Sequence, residues 1–148
     1  MEKPCNSLEG GLARGYDRRT MNEISWMTQL GAVELALGAV SGWIVWIALD
    51  TTWLKKFGVR SPRRLLQAHI DLIMMGTILI AVGVAAPDFP APWSYFLAIG
   101  AWTNALLFVP AAWHDRKPTD LKANLAQAVS FALVSTGTVA LAVYLITS

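Results

Sequence analysis

The sequence predicts an all-α integral membrane protein, a bundle of four spanning helices, and three observations carry that prediction. Apolar residues make up 55% of the 148-residue chain, with a mean hydropathy of +0.45, well above an ordinary soluble domain. Four apolar stretches of about 20 residues, the length that crosses a bilayer, follow one another. Charged residues amount to only 15% and gather in a few segments, chiefly the N-terminal tail and the polar loops. The net charge of +2 and the lack of a basic stripe interleaved with aromatics argue against nucleic acid as a partner. No β pattern, Gly-rich phosphate loop or internal repeat is visible.

Residues 1–26 form a polar N-terminal tail, followed by a four-helix domain over 27–148. The tail carries Gly10, Gly11, Gly15 and the Asp17-Arg18-Arg19 cluster, so a flexible lead-in without chemistry is expected, with an interfacial turn near Ile24-Ser25-Trp26. Its charges and missing apolar core are unlike a secretory signal peptide. Cys5 is the only cysteine, which excludes an internal disulfide framework, a cysteine-based metal site and a CxxCH haem attachment.

The first span, about 27–49, ends with Trp43 and Trp46, as interfacial anchors do. Gly31, Gly38 and Gly42 fall on one helical face, where small residues admit a close neighbour. Glu34 lies inside this span. It reads either as a carboxyl turned into the bundle, protonated or bonded to a neighbour such as Gln127, or as a proton or cation site.

Residues 50–64 form a loop with Lys55, Lys56, Arg60, Arg63 and Arg64, and Ser61-Pro62 looks like a capped helix start. The second span, about 65–87, contains His69 and Asp71, and an ionisable group in a bilayer costs a few kcal/mol unless paired or facing a cavity. The Pro87–Pro92 connection holds three prolines and no basic residue, a stiff hairpin link. The third span, about 93–113, starts and ends in tryptophan and contains Trp102, Asn104 and Pro110. The fourth, about 125–146, is rich in small residues (Ser130, Ser135, Thr136, Gly137, Thr138), which suits contact with other helices or subunits.

Eight basic residues occupy the two long polar loops, against four (Lys3, Arg14, Arg18, Arg19) in the N-terminal tail and none in the proline loop. The positive-inside rule therefore puts the long loops in the cytoplasm and both termini outside, in a multi-pass protein of the inner (cytoplasmic) membrane. His69 then lies near the cytoplasmic surface. Asn104 is nine residues from the end of its span, about 13 Å deep at the α-helical rise. His69, Asp71, Trp102 and Asn104 are expected to line one cavity in that half, with Glu34 apart from them. His69 and Asp71 point about 200° from each other, so they are not a dyad on one face. His69 is a candidate metal or haem ligand, with interfacial hydrogen bonding as its plain alternative. Met74, Met75 and the tryptophans suit an aromatic ligand or ordinary packing.

Ala68-His69, then Gly76, Pro87 and Trp102-x-Asn104, in a four-span chain of this size, resemble the styrene oxide isomerase and hydroxylaminobenzene mutase superfamily over roughly residues 28–146. The resemblance implies a membrane enzyme that isomerises a small aromatic epoxide or hydroxylamine without net redox change. It also implies a homo-oligomer, a trimer in the styrene oxide branch. Noncovalent haem b sits between its subunits, with His69 as axial ligand and the iron as Lewis acid. Met75 and Trp102 would then adjoin the cofactor, Asn104 would orient substrate and Asp71 would act as acid or base. The chain departs from the isomerase branch where that branch has asparagine (Met75 here), aspartate (Gly100) and tyrosine (Phe108). Two other functions remain open. One is a small proton-coupled multidrug transporter using Glu34, and the other a haem-binding membrane subunit without catalysis.

Overall fold

The computed structural model describes residues 25–48, 50–114 and 120–147. The tail up to residue 24 and the charges at 115–119 lie outside the described residues. Five helices follow in order, α1 (Trp26–Ile47), α2 (Thr51–Lys56), α3 (Pro62–Ala85), α4 (Ala91–Trp113) and α5 (Leu121–Thr147). The described residues contain no strand. All but α2 are long and apolar enough to cross a membrane. Their 22 to 27 residues correspond to about 33–40 Å, sufficient for a hydrocarbon core of about 30 Å.

The expected spans are recovered with shifted ends. α5 starts four residues before the apolar run, because Asp120 receives the backbone N–H of Ala123 on its side chain and that of Asn124 on its carbonyl. Pro62 stands at the start of α3 as expected, but the Ser61 side chain makes no capping bond. The Ser61 backbone N–H is instead taken by the Ala112 carbonyl at 3.1 Å, and that of Arg60 by the same oxygen at 2.9 Å.

α2 is an addition to the expected loop. Asp50 starts it by accepting the Thr52 N–H at 2.8 Å, and Gly58, at φ +66°, turns the chain out of it. The loop is fastened to the end of α4 by the Ala112 contacts and by the Trp113 indole, which donates to the Phe57 carbonyl at 3.1 Å.

Packing makes an open bundle. α1 lies along α3, α3 along α4, and α4 along α5, while α1 and α4 touch only slightly. The α1–α3 seam follows from the glycine face seen in the sequence. A Cβ at Gly31 would lie 2.6 Å from the Gly76 carbonyl oxygen, and one at Gly76 would lie 2.7 Å from the Leu35 nitrogen. The backbones meet where neither residue has a side chain, so dispersion contacts form along the whole seam. Gly100 and Gly137 do the same between α4 and α5, against Val134 and Leu97. α4 is the most enclosed span, with Leu97, Ala101, Ala105 and Ala112 at 0% exposure. α1 and α5, the outer members, present Val33, Val40, Val139 and Ile146 outward, a surface matched to lipid.

Candidate functional site

α3 carries two polar side chains two residues apart, and its neighbours take one each. His69 turns toward α1. Its Nδ1 is 2.9 Å from the Gly38 carbonyl oxygen and 3.0 Å from the Ser41 hydroxyl, which itself donates to Gly38 at 2.7 Å. A carbonyl can only accept, so the proton resides on Nδ1 and the lone pair on Nε2. Nε2 has no hydrogen bond among the described residues. Gly42 packs beside the ring, where a Cβ would lie 3.1 Å from Cε1 and 3.7 Å from Nε2.

Asp71 turns toward α4 and accepts from the Asn104 amide, Nδ2 to Oδ2, at 3.1 Å. That bond fixes the Asn104 amide with Oδ1 buried and without a partner among the described residues. Trp102 flanks an apolar groove of about 560 Å³ between α1 and α4, together with Trp26, Leu30 and Tyr95, and its indole N–H is buried and unpartnered. Met75 packs against the core formed by Leu79, Leu97 and Ala101.

Of His69, Asp71, Trp102 and Asn104, expected around one cavity, the described structure brings Asp71 and Asn104 into contact and sets the other two in different seams. Asp71 and Asn104 meet in the α3–α4 seam, His69 sits in the α1–α3 seam, and Trp102 borders the α1–α4 groove. The cause is the helical turn of about 200° between residues 69 and 71, combined with α1 and α4 packing on different sides of α3.

Glu34 is fully buried, and neither carboxyl oxygen has a hydrogen-bond partner among the described residues. The expected bond to Gln127 does not form, because Gln127 belongs to α5, on the far side of α4. Glu34 lies one turn beyond Leu30 on α1, in the segment held against α3 by Gly31 and Gly38, and within electrostatic reach of Asp71, so it is not set apart from the Asp71–Asn104 pair as expected.

The three departures from the resembled pattern have visible surroundings. At Gly100 any side chain would collide with α5, since a Cβ would come within 2.7 Å of the Val134 nitrogen. The Gly100 carbonyl also accepts from Ser130 at 3.1 Å and Thr103 at 3.2 Å. Phe108 is buried with the Arg64 guanidinium 5.7 Å from its ring. At position 75 the methionine puts a thioether into apolar packing.

Among the described residues no three His, Cys, Asp or Glu side chains gather as a metal-chelating group. An axial haem ligand needs only one imidazole, and His69 has the donor chemistry for that role. One ring nitrogen is held by a backbone carbonyl, as second-shell partners of metal-bound histidines commonly are, and the other retains its lone pair. No protein-family model, no curated protein and no solved structure matches this chain.

Proposed function

We propose that this chain is a haem-b-dependent membrane isomerase or mutase that rearranges a small aromatic epoxide or hydroxylamine, with His69 as the iron ligand. The observation that carries the reading is the imidazole held at Nδ1 by Gly38, with no bond at Nε2 among the described residues. When bound, the haem would supply a Lewis-acidic iron for a substrate oxygen. Gly38 and Ser41 keep the proton on Nδ1 and set the ring plane, so Nε2 is presented in one orientation. Asp71 holds the Asn104 amide so that Oδ1 is the acceptor without a partner among the described residues, and in this reading Asn104 orients the substrate. His69 and Asp71 leave opposite sides of α3, so one chain does not present both to a single substrate. A homo-oligomer, a trimer by resemblance, belongs to the same reading.

Haem-loaded protein assayed with an aryl epoxide and an aryl hydroxylamine tests this reading. Isomerised product with no net redox change is expected from the wild type. Asn104→Ala should keep the haem spectrum and lose most of the turnover, by about 10- to 100-fold, the scale of one lost positioning contact at a metal site. Haem binding without turnover of either substrate would leave the non-catalytic haem subunit as the better description.

The orientation belongs to the same proposal. The eight loop charges put the α2 loop in the cytoplasm of an inner-membrane protein and both termini outside. Single cysteines at positions 56 and 88 should label from opposite sides, position 88 from outside. Outside labelling at position 56 would reverse the assignment.

Glu34 favours a second reading, a small proton-coupled exporter of lipophilic cations, because a buried carboxyl without a partner is costly and such groups mark ion pathways. We rank it second, and expect no pH-driven uptake of a lipophilic cation by wild-type proteoliposomes. Robust uptake that Glu34→Gln abolishes would put transport first.

A further inference from the structure

The segment joining α1 to α3 is built as a platform. Two apolar grooves adjoin it. One, of about 320 Å³, lies between Ile44 and Ile47 of α1, Leu54 of α2 and Trp113 of α4. The other, of about 600 Å³, opens between Trp46 and the outer side of α2. Trp53 and Phe57 line both grooves, with their rings stacked at 5.8 Å between centroids and 17° between planes. The Lys56 ammonium lies 4.8 Å over the Trp53 ring.

Asp50 lines the larger groove, and Lys56 reaches over the Trp53 ring that both grooves share. Residues 50–64 carry Lys55, Lys56, Arg60, Arg63 and Arg64 against Asp50 alone. Lys55, Lys56 and Arg63 are exposed, and so are Trp46 and Trp53. An apolar slot, an aromatic ledge and a positive rim at one end of a spanning bundle match a molecule with a hydrocarbon chain and an anionic head.

We infer that the α2 platform is a binding site for an anionic phospholipid, with an acyl chain in the Trp53–Phe57 grooves and the phosphate at Lys55, Lys56 and Arg63. A free phosphate would leave the apolar slot unused. A second copy of the chain meeting this face in a twofold contact would set the same basic rim against itself, and like charges repel. The inference does not depend on the haem reading, since His69 lines neither groove.

Native mass spectrometry of purified protein equilibrated with equal amounts of phosphatidylglycerol and phosphatidylcholine tests it. The wild type should retain phosphatidylglycerol at least about tenfold better. Each basic residue near an anionic surface contributes about a fivefold change in affinity, so the triple variant Lys55→Gln, Lys56→Gln, Arg63→Gln should lose the preference. These side chains are exposed, and an unchanged circular dichroism spectrum would show that the variant is folded. In the wild type the preference should also collapse in about 1 M salt, where the Debye length is about 3 Å. Trp53→Ala with Phe57→Ala should lower retention of both lipids, and glycerophosphate at equal concentration should not compete. Equal retention of the two lipids, or a preference that survives the triple variant, overturns the proposal. Effective competition by glycerophosphate would reduce the site to a bare anion site, and a dimer that disappears with the groove variants would assign the face to a second copy. Either result also overturns it.

Discussion

His69→Ala is expected to abolish the Soret band of the haem-loaded protein while leaving its helical content intact. The imidazole in the α1–α3 seam is the proposed ligand, and alanine offers no donor for iron. Its structural cost is modest, because the bond lost to Gly38 is a single interhelical hydrogen bond worth about 1 kcal/mol. Ser41→Ala separates the ligand from its support. Gly38 still holds Nδ1, so the band should persist with haem affinity reduced less than tenfold, the lower end of second-shell effects. Asp71→Asn should leave the band unchanged, since that side chain is committed to Asn104 on the other side of α3. A wild-type protein that is folded, supplied with haem and spectrally silent would return His69 to a bridging role between α1 and α3, which its bonds to Gly38 and Ser41 already describe.

The second large effect is expected at Gly76. Leucine there would place its Cβ 2.7 Å from the Leu35 nitrogen and 2.8 Å from the Gly31 carbonyl oxygen, both backbone atoms that no rotamer can avoid. Overpacking of side chains costs about 1–3 kcal/mol, and a collision with backbone along a helix seam belongs at or beyond the upper end. Gly76→Leu should therefore lower the unfolding temperature by many degrees in detergent or prevent accumulation of folded protein. Thr77→Leu is the control. Thr77 is exposed and bonds only its own helix, at Ile73, so leucine there should change stability by no more than about 0.5 kcal/mol. Equal sensitivity at 76 and 77 would mean that the two helices do not meet as described.

The glycine seam was legible in the sequence because its spacing is helical and its chemistry simple. So were the four spans, whose length and composition are set by a bilayer rather than by neighbours. Which helix each face meets was not legible. In a soluble protein an apolar stripe marks the inward face, whereas a spanning helix is apolar on all sides and gives no such mark. The 200° between His69 and Asp71 was therefore readable, but not that α1 receives one and α4 the other. Gln127, one neighbour considered for Glu34, does not bond it for the same reason, since the order α1, α3, α4, α5 puts α4 between α5 and α3. α2 escaped notice because its six residues are too few to show a period. Its one local signal, Asp50 ahead of two threonines, was present as a capping pattern. The crowding at Gly100 depends on where α5 lies, and no local pattern reports that.

The attachment of the α2 loop to Ala112 and Trp113 has a consequence for biosynthesis. A chain made from its N-terminus completes α1 and α3 well before α4, and those two can pair through their glycines while α4 is still being made. The loop between them cannot reach its final position then, because the carbonyl that holds Arg60 and Ser61 belongs to the last turn of α4, about 50 residues later. At a synthesis rate of about 5–20 residues per second, the basic segment spends several seconds at the membrane surface before it is locked. The half-made protein thus carries this segment unfastened while its later spans are still being made.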